Sequence, residues 1–204
     1  MIGSIVEQVF NKFYVLLKLN LYFLVLTAIG GVAFGIGPAY CSILTLYKET
    51  GWDTNNKSFK KAWSYYKNSF WKANRLAVFF IGLIILLMIN LLIAVQEKGL
   101  LFFSITLIIF VCLIALIFIF NYALQIEINY ELSWRENVLL SITILFSNLK
   151  ELALQVGGLI LLAFIFIKLP ALILFCAFSS MIIWFDFTLE KRLTWINEAL
   201  VTNE

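Results

Sequence analysis

Long apolar runs separated by short polar segments dominate the pattern of hydrophobic and polar positions along the chain. Residues 76–95 contain one polar side chain, Asn90, and residues 100–120 form a second apolar run. A helix needs about 20 apolar residues to cross the hydrocarbon core of a bilayer. The two runs therefore predict membrane-spanning helices over about 75–95 and 100–124.

A third apolar region, residues 152–187, is too long for one span. As a single helix it would extend about 54 Å, whereas the hydrocarbon core is about 30 Å thick. Lys168 and Pro170 interrupt it, because lysine can reach the membrane interface and proline suits the first turn of a new helix. We predict two short spans, over about 152–167 and 170–188.

The first apolar region, residues 19–47, contains the segment GGVAFGIGPA. Its glycines weaken a helix, and proline is favoured at the first position of a new one. We therefore predict a first span over about 16–36 that is broken at residues 35–37. A short helix is predicted to begin at Pro38.

Two interpretations of this break are open. Gly31 and Gly35 have the small-xxx-small spacing that lets two helices approach closely in lipid, which indicates a packing notch with a kink. Alternatively, Gly37 and Pro38 open a discontinuous helix. Its N-terminus, with free N–H groups and a partial positive charge, would then face an anionic or hydroxylated ligand.

Polar side chains at the end of the third span belong to the same candidate site. Asn121, Gln125 and Asn129 recur at every fourth position, so they share one helix face. We favour a helix that leaves the membrane here, and the alternative is a face turned towards the bundle interior. The candidate ligand-binding or helix-packing residues are Gly31, Gly35, Gly37, Pro38, Asn121 and Gln125.

A segment rich in aromatic and basic residues precedes the second span. Aromatic side chains recur at helical spacing from Phe59 to Phe70, and lysines occupy the other faces. This pattern is typical of an amphipathic helix at a membrane interface, which we predict over about 57–73 on the cytoplasmic side. The candidate residues for docking anionic lipid or a partner are Phe59, Lys60, Lys61, Trp63, Tyr66, Lys67 and Phe70.

A second interfacial helix is predicted over about 134–147. Ser133 and Glu136 precede it with the spacing of a capping box, in which each side chain binds the other residue's backbone N–H.

Composition agrees with a membrane protein and limits its chemistry. Of the 204 residues, 63% are hydrophobic and 13% are charged, whereas a soluble domain has about 25% charged residues. We predict one all-α, polytopic membrane domain over residues 1–204. The chain has no histidine, and its three cysteines lie far apart in apolar runs. We therefore expect no metal, no cofactor, no enzymatic activity and no nucleic-acid partner.

Basic residues are unevenly distributed around the spans. The densest group lies between Lys48 and Arg75, which the positive-inside rule assigns to the cytoplasm. We predict an external N-terminus and a cytoplasmic C-terminus, an arrangement that leaves few basic residues outside: Lys12, Lys18, Lys98 and Lys168. The open alternative is a re-entrant first segment, which would put the N-terminus inside.

The order of features from Asn20 to Arg75 is similar to that of a known family. Asn20 and Leu21 open an apolar run, Thr27 and the segment GIGPA close it, and SFKKAWSYYKNSF follows. This order resembles the YesL-like family of small bacterial membrane proteins, whose molecular activity is not established. The resemblance implies a multi-pass protein of the bacterial inner membrane, encoded near carbohydrate importers. It carries over no catalytic or binding residue.

Two functions are consistent with these patterns. We expect an accessory or assembly subunit of a bacterial envelope system associated with carbohydrate uptake. Its partners would be the lipid bilayer and other membrane proteins, such as sugar importer subunits, or a second copy of itself. The alternative is a small homo-oligomeric transporter or channel for a small solute. Transport predicts polar residues that converge around the GIGPA break, whereas the accessory role predicts that they pair with one another and leave apolar surface exposed.

Overall fold

A computed structural model describes the backbone of residues 2–147 and 149–201 and the side chains of residues 6–147 and 150–190. Within these ranges the secondary structure is entirely helical. The helices are α1 (Ile2–Ile29), α2 (Ile36–Thr50), α3 (Phe59–Gln96), α4 (Leu100–Asn129), α5 (Trp134–Ser147), α6 (Leu149–Lys168) and α7 (Ala171–Val201).

Five helical segments are long and apolar enough to cross a membrane. They are Val6–Ile29, Phe59–Gln96, Leu100–Asn129, Lys150–Lys168 and Ala171–Glu190. The chain is therefore an all-α, multi-pass membrane protein, as its composition predicts. The turn predicted around Lys168 and Pro170 is confirmed, because α6 ends and α7 begins there.

The first apolar region folds as a hairpin of two helices. α1 ends at Ile29, residues 30–35 form turns, and α2 begins at Ile36. The prediction of one span over 16–36 followed by a helix from Pro38 was therefore wrong in position. The first helix ends at Ile29, before the predicted end near residue 36, and the second helix begins at Ile36, before the predicted start at Pro38.

The reason for the earlier break is a Schellman cap at the end of α1. The Val32 N–H donates to the Thr27 carbonyl at 3.0 Å, and the Gly31 N–H donates to the Ala28 carbonyl at 3.1 Å. Gly31 has φ of 71°, the left-handed conformation that glycine adopts without strain at this position of the motif. Gly31 therefore terminates α1. Its spacing from Gly35 had instead indicated a helix-packing notch.

The predicted interfacial helix over 57–73 and the predicted span over 75–95 are parts of one helix, α3. This helix has 38 residues, which cover about 57 Å along its axis and exceed the hydrocarbon core. No glycine or proline interrupts residues 59–81, so nothing local ends the first segment before the second begins. Its position relative to the membrane surface stays a prediction.

The capping box at the start of α5 is confirmed. The Ser133 N–H donates to the Glu136 carboxylate at 2.9 Å, and the Glu136 N–H lies 3.4 Å from the Ser133 hydroxyl. The hydrogen bond from Ser133 holds the pKa of Glu136 below its ordinary value. The described part of α5 runs from Trp134 to Ser147. Its predicted location on the membrane surface stays a prediction.

Helix α2 occupies the centre of the bundle and contacts α1, α3, α4 and α7. Nine of its fifteen residues are buried, from Gly37 to Leu46. It packs antiparallel to α3, since Gly37 lies near Ala73 whereas Ser42 donates to the Ala62 carbonyl at 2.6 Å. This central helix positions the residues described next.

The first half of α1 lies beside the loop that follows α2. The Lys12 ammonium lies 5.6 Å from the centre of the Trp52 ring, and the Lys18 ammonium lies 3.4 Å from the Thr54 carbonyl oxygen. The predicted topology placed these two lysines and this loop on opposite sides of the membrane. The structure instead places them in contact.

Candidate functional site

The glycine-rich turn between α1 and α2 is a site of close backbone contact. A methyl group on Gly35 would lie 2.2 Å from the Thr27 carbonyl oxygen, and one on Gly30 would lie 2.4 Å from the Gly35 Cα. Real side chains do not tolerate such distances, so only glycine lets the two helix ends meet.

The first turn of α2 packs on α3 in a similar way. A methyl group on Gly37 would lie 3.1 Å from the Ala73 carbonyl oxygen. Pro38 occupies the third helical position, where its missing N–H costs no intrahelical hydrogen bond. Because Gly37 and Pro38 are buried here, the geometry favours the packing interpretation over a helix terminus open to a ligand.

Asn121 and Gln125 meet α2 in the bundle interior. The Gln125 amide donates to the Tyr40 hydroxyl at 3.0 Å and to the Asn121 carbonyl at 2.8 Å, and the Tyr40 hydroxyl donates to Asn121 at 3.2 Å. Gln125 is fully buried. We had favoured a helix end that leaves the membrane. Asn121 and Gln125 instead lie on the face of α4 that is turned towards the bundle interior, which was the alternative. They form a hydrogen-bonded triad in which the Gln125 Oε1 has no partner. The third member, Tyr40, has no signal in the sequence.

The polar face of α4 continues to an ion pair at the end of α2. The Lys48 ammonium donates to the Asn129 side chain at 2.8 Å and lies 3.0 Å from the Asp186 carboxylate and 3.7 Å from that of Glu190. Asp186 is buried, so Lys48 is its neutralising partner. This cluster ties α7 to α2 and α4.

A wide groove lies between α3 and the turn that follows α1. Its volume is about 880 Å³. Trp63, Tyr66, Phe70 and Trp71 supply aromatic surface from α3, and Phe34 supplies it from the turn. We call this cavity the aromatic groove; its remaining lining residues are Ile29, Gly30, Lys67, Asn74, Arg75 and Val78.

Two buried polar side chains in the aromatic groove have no hydrogen-bond partner. They are the Tyr66 hydroxyl and both amide atoms of Asn74. Tyr66 is 3% exposed and Asn74 is 6% exposed. A buried polar group without a partner costs about 1–3 kcal/mol, so these atoms require a physical explanation, such as a partner that completes their hydrogen bonds.

The seven predicted docking residues separate into two groups. Four of them line the aromatic groove: Trp63, Tyr66, Lys67 and Phe70. The other three lie outside it. Phe59 packs edge-on against Tyr22, Lys61 pairs with Glu49 at 2.6 Å, and Lys60 borders a smaller cavity.

Lys61 has a structural partner that sequence spacing did not reveal. Together with the Tyr65 hydroxyl, it binds the Glu49 carboxylate and holds the pKa of Glu49 below its ordinary value. These contacts fasten the start of α3 to the end of α2. Lys61 is therefore less available to lipid than the prediction supposed.

The sequence prediction missed several groove residues, notably Phe34, Trp71, Asn74 and Arg75. Asn74 lies between the predicted interfacial helix over 57–73 and the predicted span over 75–95. Arg75 is the first residue of that predicted span, so neither was considered as a docking residue. The turn that brings Phe34 to α3 is a tertiary feature.

Comparison with known families agrees with the resemblance to YesL-like proteins. A family described as "Protein of unknown function, DUF624" matches residues 16–91. This matched part of the chain, which we call the DUF624 segment, includes the second half of α1, all of α2 and nearly all of α3. Every residue that lines the aromatic groove lies within it. Searches of curated proteins and of solved structures found no match.

Proposed function

We propose that the protein is a membrane-embedded accessory or assembly subunit of a bacterial envelope system. The observation that carries the proposal is the exposed hairpin formed by the end of α3 and the start of α4. Between Ile81 and Ile117 only Ala94 is buried. We call residues 81–117 the apolar hairpin.

The apolar hairpin offers a large surface for another membrane protein. Aliphatic and aromatic side chains on both of its helices are exposed, including Leu86, Leu92, Val95, Leu101, Phe103 and Leu107. In lipid, helices associate through close packing, and the partner can cover such a surface without opening the rest of the bundle. The hairpin therefore suits docking between spans.

Polar contacts inside the bundle support an accessory role over transport. Tyr40, Asn121 and Gln125 pair with one another, and Lys48 neutralises Asp186. A transport path would instead need polar groups that are free to contact a solute. Single amide atoms of Gln125 and Gln155 are buried in the bundle without a partner. The unpaired Tyr66 hydroxyl and Asn74 amide belong instead to residues that line the aromatic groove.

The link to carbohydrate uptake rests on the family resemblance. YesL-like proteins are encoded near carbohydrate importers, so the expected partner is the membrane subunit of such an importer. The cytoplasmic membrane of a bacterium is the expected location for the same reason.

Contacts between α1 and the loop 51–57 support a revised topology. These contacts put Lys12 and Lys18 on the same side of the membrane as the loop. Only Lys98 and Lys168 of the four lysines first assigned to the outside then remain there, which agrees better with the positive-inside rule. We place both termini in the cytoplasm, with α1 and α2 as a hairpin that enters and leaves from that side.

The test is site-specific crosslinking in native membranes. A photo-reactive residue at Leu92, in the apolar hairpin, is compared with one at Ile160, an exposed position of α6. We expect Leu92 to crosslink to importer subunits and Ile160 not to do so, with importer subunits recovered in stoichiometric amounts after mild solubilisation. Recovery of a homo-oligomer alone, with crosslinks between copies of the chain, would contradict the accessory role and call for solute flux measurements in liposomes.

A further inference from the structure

We infer that the aromatic groove is a binding site for an anionic phospholipid with a hydroxylated headgroup, of which phosphatidylglycerol is the simplest example. This inference does not depend on the accessory role. It rests on the unpaired polar atoms in the groove, on its apolar lining and on its charge.

The apolar lining suits an acyl chain. The groove volume of about 880 Å³ lies within the range of small-molecule sites. Trp63 and Tyr66 stack with their ring centres 5.4 Å apart, which forms a flat wall. Ile29, Phe34 and Val78 extend the lining towards the apolar half of α3.

The unpaired atoms define what the headgroup must offer. The Tyr66 hydroxyl and the Asn74 Nδ2 can donate hydrogen bonds, whereas the Asn74 Oδ1 can only accept one. A ligand that satisfies all three supplies both acceptors and a donor. A phosphodiester supplies acceptors, and a headgroup hydroxyl supplies the donor.

The charge of the groove selects an anion. Lys67 and Arg75 line it, and no acidic residue does. The Lys67 ammonium lies over the Trp63 ring at 5.2 Å, which leaves its donors available. A guanidinium or an ammonium in the lining can bind a phosphate.

Phosphatidylglycerol fits these requirements better than two related lipids. Phosphatidylcholine has no hydrogen-bond donor for the Asn74 Oδ1 and has no net charge. Dianionic phosphatidic acid has the charge but lacks a headgroup hydroxyl. We therefore expect binding to decrease in the order phosphatidylglycerol, phosphatidic acid, phosphatidylcholine.

The test measures lipid binding to the purified full chain in detergent micelles, by native mass spectrometry and by the lipid-induced rise in melting temperature. Tyr66→Phe and Asn74→Leu remove the unpaired polar atoms with little change in volume. Each should weaken phosphatidylglycerol binding about tenfold, the effect of one hydrogen bond to a charged group. Without lipid, Tyr66→Phe should melt at the same or a higher temperature, because its hydroxyl is then unpaired.

Matched controls lie on the same helix outside the groove. Tyr65→Phe removes a hydroxyl that binds Glu49, and Asn90→Leu removes an amide that binds the Leu86 carbonyl. Both should retain the phosphatidylglycerol effect. Glycerol phosphate, the headgroup without acyl chains, should give no shift.

Three results would overturn the inference. The first is an equal melting shift with phosphatidylglycerol and phosphatidylcholine, which would indicate general solvation by lipid. The second is a full phosphatidylglycerol effect in Tyr66→Phe, a variant whose folding does not depend on the hydroxyl. The third is a full effect of glycerol phosphate alone, which would indicate a site for a soluble anion.

Discussion

Asn20 of α1 accepts a hydrogen bond from the backbone N–H of Phe178 in α7 at 3.0 Å. The same side chain donates to the Leu174 carbonyl at 2.7 Å. Residues 174 and 178 are one helical turn apart, so Asn20 binds the two backbone groups that pair with each other in an undisturbed helix. A single amide from the DUF624 segment thus bridges a backbone acceptor and a backbone donor on successive turns of a helix outside it.

We expect Asn20→Leu to destabilise the packing of α1 on α7. Asn20 is buried, and its loss leaves backbone groups of α7 without their partner. The free energy of unfolding should fall by about 2–3 kcal/mol. Thermal unfolding in detergent measures this, with Asn90→Leu as a control that should change little. An unchanged melting temperature in Asn20→Leu would show that α7 recovers its own hydrogen bond.

Gly35→Ala should be among the most damaging single-methyl additions in the chain. The new methyl group would overlap the Thr27 carbonyl oxygen, which is backbone and cannot move without opening the hairpin. We expect a loss of about 3 kcal/mol in the free energy of unfolding.

Two other glycines provide the comparison for Gly35. Gly31→Ala meets no atom within 4 Å but keeps a positive φ, so it should cost about 1 kcal/mol. Gly82→Ala also meets no atom and lies inside α3, so it should be neutral or stabilising by up to about 1 kcal/mol. A different ranking of the three melting temperatures would contradict the packing role of the turn.

The Lys48–Asp186 pair should behave as a coupled unit. Lys48→Met leaves the buried Asp186 carboxylate without its neutralising ammonium, at a cost of about 3 kcal/mol. Asp186→Asn added to Lys48→Met removes the uncompensated charge and should recover most of this loss. A double-mutant cycle of melting temperatures tests the coupling. Additive losses would mean that the two side chains act independently.

Lys57 should fasten the loop between α2 and α3. Its ammonium is buried and donates to the carbonyls of Gly51 and Asp53 at 2.7 and 2.6 Å. Lys57→Met leaves both carbonyls without this donor, and we expect a loss of about 2–3 kcal/mol. Faster proteolysis or hydrogen exchange in residues 51–57 would accompany it.

The same residue gives a pH dependence with a defined sign. Burial lowers the pKa of Lys57 from its ordinary value of 10.5. Between the lowered pKa and 10.5 the unfolded chain binds the proton and the folded chain does not, so this group makes stability rise with pH in that window. The difference in melting temperature between the wild type and Lys57→Met should therefore increase on the alkaline side. A difference that is constant with pH would show that Lys57 titrates normally.

Local sequence features determined the helices and most of their ends. Apolar run lengths predicted the later spans, Lys168 and Pro170 predicted their turn, and Ser133 with Glu136 predicted the start of α5. These signals are local because a cap or a spanning length depends on residues within a few turns of each other. The error at the first span arose where several glycines offered alternative ends, and the Schellman bonds selected Gly31.

Only the tertiary structure decided which side chains meet. Tyr40 lies 85 residues from Gln125, and Asn20 lies 158 residues from Phe178. No spacing rule connects such pairs, because they depend on how whole helices cross and on which close approach the glycines allow. The sequence by itself determined a basic, aromatic helix and an apolar hairpin after it, because both are local patterns. The folded chain decided that Phe34 closes one side of that helix and that Tyr66 and Asn74 remain unpaired within the resulting groove.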